Sequence, residues 1–314
     1  MSPVSGVEAP PSSNTGVYPP SQSHYLEPSG RFDWYAATIT QTAPTVVAAL
    51  ADRLGAVVQD LDKSMNGYTH QSVLRRDGDV VARVLYGGNG GSPHAFASGE
   101  HSQEFAAVVR GLWPDTHRVS RCDVSTDFDD GPGTFEFFLE FADRFALEHN
   151  VQTSVAGDWR TPGHPGGRTL YVGSRKSAVF VRIYEKGKEI RSRLRLEDAD
   201  AAVAHISETL VRVELVVRPE KDSRYVAARM QPMEGYGFAV WSQRFGSELF
   251  GLEVPRVTIK HVRDSDDERA FRFMVKQYSG VLSRLVEDRF DGSWEALGVA
   301  LGKRVENGAS DAHL

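Results

Sequence analysis

Two segments of this chain alternate ionisable and apolar residues with a period of two: Arg121-Cys122-Asp123-Val124-Ser125-Thr126-Asp127-Phe128 and Val211-Arg212-Val213-Glu214-Leu215-Val216-Val217-Arg218. That is the period of a β-strand, whose successive side chains point to opposite faces. Arg121, Asp123, Ser125 and Asp127 therefore share one face, and Cys122, Val124 and Thr126 take the other, which suits a core. In the second segment Arg212, Glu214 and Arg218 alternate with Val213, Leu215 and Val217.

The remaining pattern predicts an α+β fold, mainly an antiparallel sheet with packed helices, followed by a mostly helical C-terminal region. Order begins near Arg31-Phe32-Asp33-Trp34-Tyr35 and the β-prone residues after it. A helix is expected over 44–54, stopping at Gly55, then strands near 70–76 and 80–86 joined by the Asp77-Gly78 turn. Helices follow near 102–112 and 134–149, with strands near 118–127, 151–156, 168–173, 178–186 and 209–218. Beyond Pro219 the character changes, and helices are expected at 265–289 and 293–304, the second capped by Ser293. Residues 1–30 hold six prolines, seven serines and three glycines, which reads as a disordered tail. The expected division is thus a tail (1–30), a catalytic domain (31–230) and a helical C-terminal region (231–314). No internal repeat of fixed period is visible in the sequence.

Chemistry enters with the carboxylates. Asp123 and Asp127 on one strand face repel unless a cation or an arginine sits between them, which points to a divalent ion, magnesium or manganese for hard oxygen ligands. Surface aspartates at the same spacing are the plain alternative. Glu214 completes such a site if its strand lies near that of Asp123; otherwise it forms an Arg–Glu ion pair across the sheet.

A hairpin is expected from Arg168-Thr169-Leu170-Tyr171-Val172, through a polar Gly-Ser-Arg-Lys-Ser tip, into Val181-Arg182-Ile183-Tyr184-Glu185-Lys186. Arg182, Tyr184 and Lys186 would then point to one side. Cations flanking a tyrosine neutralise a phosphate and favour the phenolate; a half-buried strand tyrosine with snorkelling neighbours is the alternative. Glu185 should face away from Tyr184 on a regular strand.

Net charge is −6, yet residues 168–195 carry nine basic residues against two acidic ones, a local +7 suited to phosphates or simply to a solvated helix and loop. The single cysteine, Cys122, excludes an internal disulfide framework and a cysteine-based zinc site. No apolar run approaches a membrane span and no signal segment is visible, so a cytoplasmic location is expected. There is no His-hydrophobic-His motif, and Gly187-Lys188 and Gly302-Lys303 both lack the upstream glycine of a phosphate loop. The Gly87–Gly91 run could offer backbone amides to a phosphate or serve as a plain connection. Phe271, Met274, Val275, Tyr278, Leu282, Leu285 and Val286 follow a helical spacing that suits core or dimer contact.

Taken together, Arg121-x-Asp123-x-x-x-Asp127, the run from Thr169 to Ser177, Arg182-Ile183-Tyr184-Glu185-Lys186-Gly187-x-Glu189 and Arg212-x-Glu214 resemble the replication initiation factor family, or Rep_trans type. Trp34 and Ser98-Gly99 are also similar to it, so the resemblance spans roughly 31–230. The family includes initiators of rolling-circle plasmids and phages, and relaxases of some integrative conjugative elements. The resemblance implies metal-dependent cleavage of one origin strand, a 5′-phosphotyrosine link and a free 3′-hydroxyl, followed by rejoining. It implies Tyr184 as nucleophile with Tyr171 as the alternative, Arg182 and Lys186 beside it, and Asp123, Asp127 and Glu214 around Mg2+ or Mn2+. Arg168, Arg175, Lys176, Lys188 and Arg191 would hold the DNA. The implied partners are origin DNA, single-stranded or hairpin, a host or element helicase and a second copy of the chain, with no membrane. A regulator that binds the origin without cutting it, and a phosphoesterase that uses water, are the competing functions.

Overall fold

A computed structural model describes residues 30–88, 91–160, 166–196, 203, 205–257 and 266–311. The expected tail lies outside the described residues but for Gly30, as do Asn89 and Gly90 of the glycine-rich run.

The described residues form one ten-stranded sheet. Its strands are β1 (Arg31–Ile39), β2 (Val57–Leu61), β3 (His70–Arg76), β4 (Asp79–Tyr86), β5 (His94–Ser98), β6 (His117–Phe128), β7 (Thr153–Gly157), β8 (Arg168–Val172), β9 (Val179–Tyr184) and β10 (Val211–Val217). Helices α1 (Ala43–Leu54), α2 (Ser102–Leu112), α3 (Thr134–His149), α4 (Lys186–Leu196), α5 (Ser223–Arg229) and α6 (Val240–Phe250) accompany it. A second compact unit, beginning at Lys260, holds α7 (Asp266–Arg289) and α8 (Trp294–Asp311). The fold is α+β with an antiparallel sheet, as expected.

The sheet order, β2-β3-β4-β5-β1-β6-β10-β9-β8-β7, is symmetric about the β1–β6 pair. Outward from β1 run β5, β4, β3 and β2; outward from β6 run β10, β9, β8 and β7. Each half starts with a central strand, crosses by a helix (α1 or α3) to the far edge, and returns strand by strand to the centre. The repeat lies in the topology, which is why no sequence period betrays it.

One sheet face is the core. Cys122, Val124, Phe128, Val213, Leu215, Val181 and Ile183 pack with Val46, Leu50, Phe105, Val109, Phe138, Phe145 and Phe245 from the helices. Tyr236, Phe245 and Phe250 belong to the same core, so the first compact unit runs on to Ile259. The Asp77-Gly78 turn joins β3 to β4 with positive φ at both residues, 53° and 91°, the geometry of a tight hairpin turn.

The sequence reading missed β2, β5, α5 and α6. Val57-Val58-Gln59-Asp60-Leu61 is exposed at all five positions and held by its pairing with β3, so no buried periodicity marks it. The strand expected over 178–186 stops at Tyr184, and Lys186 opens α4 instead. Gly187 explains the break: its amide donates to the Leu210 carbonyl at 2.9 Å, and a Cβ there would sit 1.8 Å from the Ser207 oxygen. In the second unit Ser293 caps α8, its hydroxyl accepting from the Ala296 amide at 3.1 Å. Val286 and Leu297 are buried there, whereas Phe271, Met274, Val275 and Tyr278 are exposed.

Candidate functional site

The sheet face opposite the core carries the ionisable residues, and strand register decides which of them meet. One row across the strands is Asp127, Arg212, Tyr184 and Thr169; the next is Ser125, Glu214, Arg182 and Tyr171; a third is Asp123, Val216 and Phe180. Residues from three separate stretches of sequence thus become neighbours through backbone pairing alone.

Tyr184 and Glu214 form the centre. The Tyr184 hydroxyl donates to Glu214 Oε2 at 3.2 Å. Arg182 donates to the same oxygen at 2.7 Å and lies 2.6 Å from Oε1. Arg182 and Lys186 also sit over the Tyr184 ring, 5.0 and 5.7 Å from its centroid. So Lys186 is near the tyrosine although it is not on the strand, and it also pairs with Glu189.

Burial pushes the Tyr184 phenol well above the ordinary tyrosine range, and the Glu214 carboxylate adds to the rise; Arg182 and Arg212 pull the other way without offsetting them. This corrects the expectation that the flanking cations would favour the phenolate. Glu214 is wholly buried, and burial together with the Asp123 charge pushes its carboxyl up to about 7, against the pull of Arg182. A carboxylate that titrates near neutrality and accepts from a phenol is suited to take that phenol's proton.

The three expected metal ligands separate. Asp127 accepts from Arg212 Nε at 2.5 Å, from Arg212 again at 2.8 Å and from Arg31 at 2.8 Å. Burial alone would raise its pKa, but the two guanidiniums win and hold it below the usual carboxylate range. Arg212 also reaches Asp33 at 2.7 Å, closing a four-residue ionic network. Asp123 is buried, bonded to Arg121 at 2.9 and 2.5 Å, and raised by burial beside Glu214. Ser125 Oγ and Glu214 Oε1 are buried without a well-formed hydrogen bond, on neighbouring positions of paired strands. Asp123, Glu214 and Ser125 are hard oxygen donors of the kind a divalent ion takes, with Arg121 and Arg182 as the present partners of the two carboxylates. Asp127 stands in another row, between Arg212 and Arg31. Among the described residues two groups of three have metal-ligand spacing, Asp79-Glu100-His101 and Glu148-His149-Glu248, each with two exposed members, and neither includes an expected ligand.

Glu185 is buried and turned into a clamp: its carboxylate accepts from the Arg168 amide at 2.7 Å, from the Arg168 guanidinium at 3.0 Å and from Lys188 at 2.8 Å. Arg168 also reaches Glu136 at 2.8 Å, and Arg191 donates to the Val203 and Ile206 carbonyls. Of the five expected DNA-holding cations, Arg168, Lys188 and Arg191 therefore have internal partners. Arg175 and Lys176 instead line an open cavity of about 500 Å3 with Arg121, Arg182, Arg218, Tyr171, Phe180 and Val216. A second cleft of about 300 Å3 lies on the other side of Arg182 and is lined by Tyr184, Lys186, Asp33, Arg168 and Thr169, among others. Arg31, Asp33, Phe180 and Arg218 carry no local signal of a site in the sequence, because only strand pairing brings them to it. Trp34 and Ser98, which the resemblance did include, sit opposite each other on β1 and β5, and Trp34 stacks on Phe96 at 5.2 Å beneath Arg121.

No curated protein sequence matches the chain. Among solved structures, a rolling circle replication initiator protein from Geobacillus stearothermophilus is similar at 17% identity and a TM-score of 0.47, covering 77% of this chain and 91% of that one. The family model described as replication initiation factor, Rep_trans, matches residues 117–243. That segment holds Asp123, Tyr171, Tyr184 and Glu214, and the replication initiation factors are the family that this chain resembles.

Proposed function

We propose that this chain acts in replication initiation by nicking and rejoining one strand of origin DNA, with Tyr184 as nucleophile. The observation that carries the reading is the Tyr184–Glu214 hydrogen bond at 3.2 Å, set between guanidinium groups on a polar sheet face. In the nicking step Glu214 takes the phenolic proton as the Tyr184 oxygen bonds to phosphorus. The bond from phosphorus to the 3′ oxygen breaks, and the proton passes to that oxygen. The products are a 5′-phosphotyrosine link and a 3′-hydroxyl, and the reverse step rejoins the strand with no change in the number of phosphodiester bonds. Arg182 and Lys186 flank the tyrosine and stabilise the charge that develops on the phosphate. Asp123 and Glu214, with Ser125 beside them, would hold Mg2+ or Mn2+, which when bound polarises the scissile phosphate. Oε2 of Glu214 faces Tyr184, and Oε1, now 2.6 Å from Arg182, would turn to the ion when Arg182 moves to the phosphate.

The test is a covalent-adduct assay on single-stranded origin DNA with manganese or magnesium, resolved on a denaturing gel. Wild type should form an adduct that Tyr184→Phe abolishes and Tyr171→Phe keeps. Loss with Tyr171→Phe alone would move the nucleophile to Tyr171. Cleavage by Tyr184→Phe would show that water attacks instead, and tight binding with no adduct from any variant would leave a non-cleaving origin-binding regulator. Within the same assay Asp123→Asn should raise the manganese needed for half-maximal adduct by tenfold or more, on the order of a lost or weakened ligand. Asp127→Asn should leave that requirement unchanged, because Asp127 faces Arg212 and Arg31 rather than Glu214.

A further inference from the structure

The proposed chemistry uses the small cleft at Tyr184, yet the larger cavity on the other side of Arg182 is the more basic of the two. Arg121, Arg175, Lys176, Arg182 and Arg218 line it, and no carboxylate does. Asp123 and Glu214 neutralise two of the five cations, Arg121 and Arg182. Arg175, Lys176 and Arg218 have no carboxylate partner among the described residues. Three unneutralised cations facing one concavity repel each other unless an anion joins them. Arg182 Nε is buried without a hydrogen-bond partner at the boundary with the Tyr184 cleft.

Two aromatic rings form the floor. Tyr171 and Phe180 meet at 6.2 Å, and each carries a guanidinium, Arg175 at 4.6 Å from the Tyr171 centroid and Arg218 at 5.1 Å from that of Phe180. Side chains that rest on rings in this way leave the ring face when a phosphate draws them off, and an unpaired base can then stack there. The volume, about 500 Å3, lies within the roughly 300–1,000 Å3 of small-molecule sites. The opening is a pocket in a sheet face, which a base inside a duplex cannot enter without leaving its stack.

We propose that this cavity is a subsite for one unpaired nucleotide of the nicked strand, next to the phosphate attacked by Tyr184. The base stacks on Tyr171 and Phe180, and its phosphates are held by Arg175, Lys176 and Arg218, with Arg182 shared between this nucleotide and the scissile phosphate. The assignment of the nucleotide to the nicked strand rests on the proposed nicking function; the affinity of the cavity for unpaired DNA does not. It makes Tyr171 a stacking residue and gives the site its preference for single-stranded over paired DNA.

The test is binding of a fluorescein-labelled single-stranded oligonucleotide of the origin sequence, followed by anisotropy in EDTA, where no covalent step takes place. Tyr171→Ala should weaken binding at least fivefold, about the low end for loss of one stacked base, while Tyr171→Phe stays within twofold. Oligonucleotides with a single abasic position should reveal one position where removing the base weakens binding to wild type but not to Tyr171→Ala. Unchanged binding by a folded Tyr171→Ala and a folded Arg218→Ala, judged by circular dichroism, would overturn the subsite even where wild type still forms its covalent adduct. Weakened binding by both variants, from a protein that never forms an adduct, would keep the cavity as a single-strand site and remove the nicking function instead.

Discussion

At the scale of single residues, the site is governed by which charges are buried and which partners they keep. Glu214 titrates near 7 because burial and the Asp123 carboxylate outweigh the pull of Arg182. If it must be ionised to accept the Tyr184 proton, single-turnover adduct formation should rise with pH, and a divalent ion bound at Glu214 should move that rise below the metal-free value of about 7. Glu214→Gln should flatten that profile and slow the step by about 10²-fold or more. The sign for stability is opposite. From about pH 4.5, the ordinary value, up to about 7 the unfolded chain gives up a proton that folded Glu214 retains, so this residue's contribution falls as pH rises through that window. The difference in urea midpoint between wild type and Glu214→Gln, measured at pH 4.5 and pH 7.5, should therefore shift in favour of the variant at the higher pH. Arg212 is the other decisive residue. It is buried against Asp127 and Asp33, and Arg212→Ala leaves both carboxylates without their main partner, at a cost of about 3–5 kcal/mol in chemical unfolding.

At the scale of elements, the break between β9 and α4 sets the geometry of the nucleophile. Were the strand to continue, Lys186 would project from it in register with Tyr184; instead the chain turns at Glu185, and Lys186 approaches the ring from the first turn of a helix. The turn is held twice, by the contact of Gly187 with the 207–210 segment and by the Glu185 clamp on Arg168 and Lys188. Gly187→Ala should therefore lower stability by about 1–3 kcal/mol, the usual cost of forcing extra atoms into a packed place, and should slow adduct formation through the displaced Lys186. Thermal unfolding and the adduct assay read the two effects separately. A glycine followed by Lys188-Glu189 carries no sign of this in the sequence, because the atom that excludes a side chain belongs to Ser207.

At the scale of the whole molecule, an acidic chain presents a basic cavity. The net charge of −6 disfavours loose association with nucleic acid, and the local cations are gathered on one sheet face. Single-strand affinity should fall linearly with salt on logarithmic axes, and Arg175→Ala and Lys176→Ala should each flatten the slope by about 0.7, the share of one phosphate. Equal slopes for wild type and both variants would place the phosphates elsewhere. The symmetric strand order gives this asymmetry its frame. Residues of β9 and β10 that carry Arg182, Tyr184 and Glu214 answer, in the other half, to strands β4 and β5, where Leu85 and Phe96 pack with Ala36 into a small cluster lined by Trp34 and Tyr68.

Much of this was written locally. Alternation placed Asp123, Asp127, Arg212 and Glu214 on strands with their apolar neighbours turned to a core, and the hairpin carrying Tyr171 and Tyr184 lies where its turn residues put it, because period two and tight-turn chemistry act over a few residues. What the sequence by itself could not decide is which ionised groups meet. Whether Asp127 faces a cation from solvent or the guanidiniums of Arg31 and Arg212, and whether Glu214 meets Tyr184, depends on the pairing of β6, β10 and β9, strands separated by long excursions of chain. The raised phenol of Tyr184 likewise follows from burial, and burial is a property of the assembled sheet, where desolvation outweighs cations that, counted along the chain, pointed the other way.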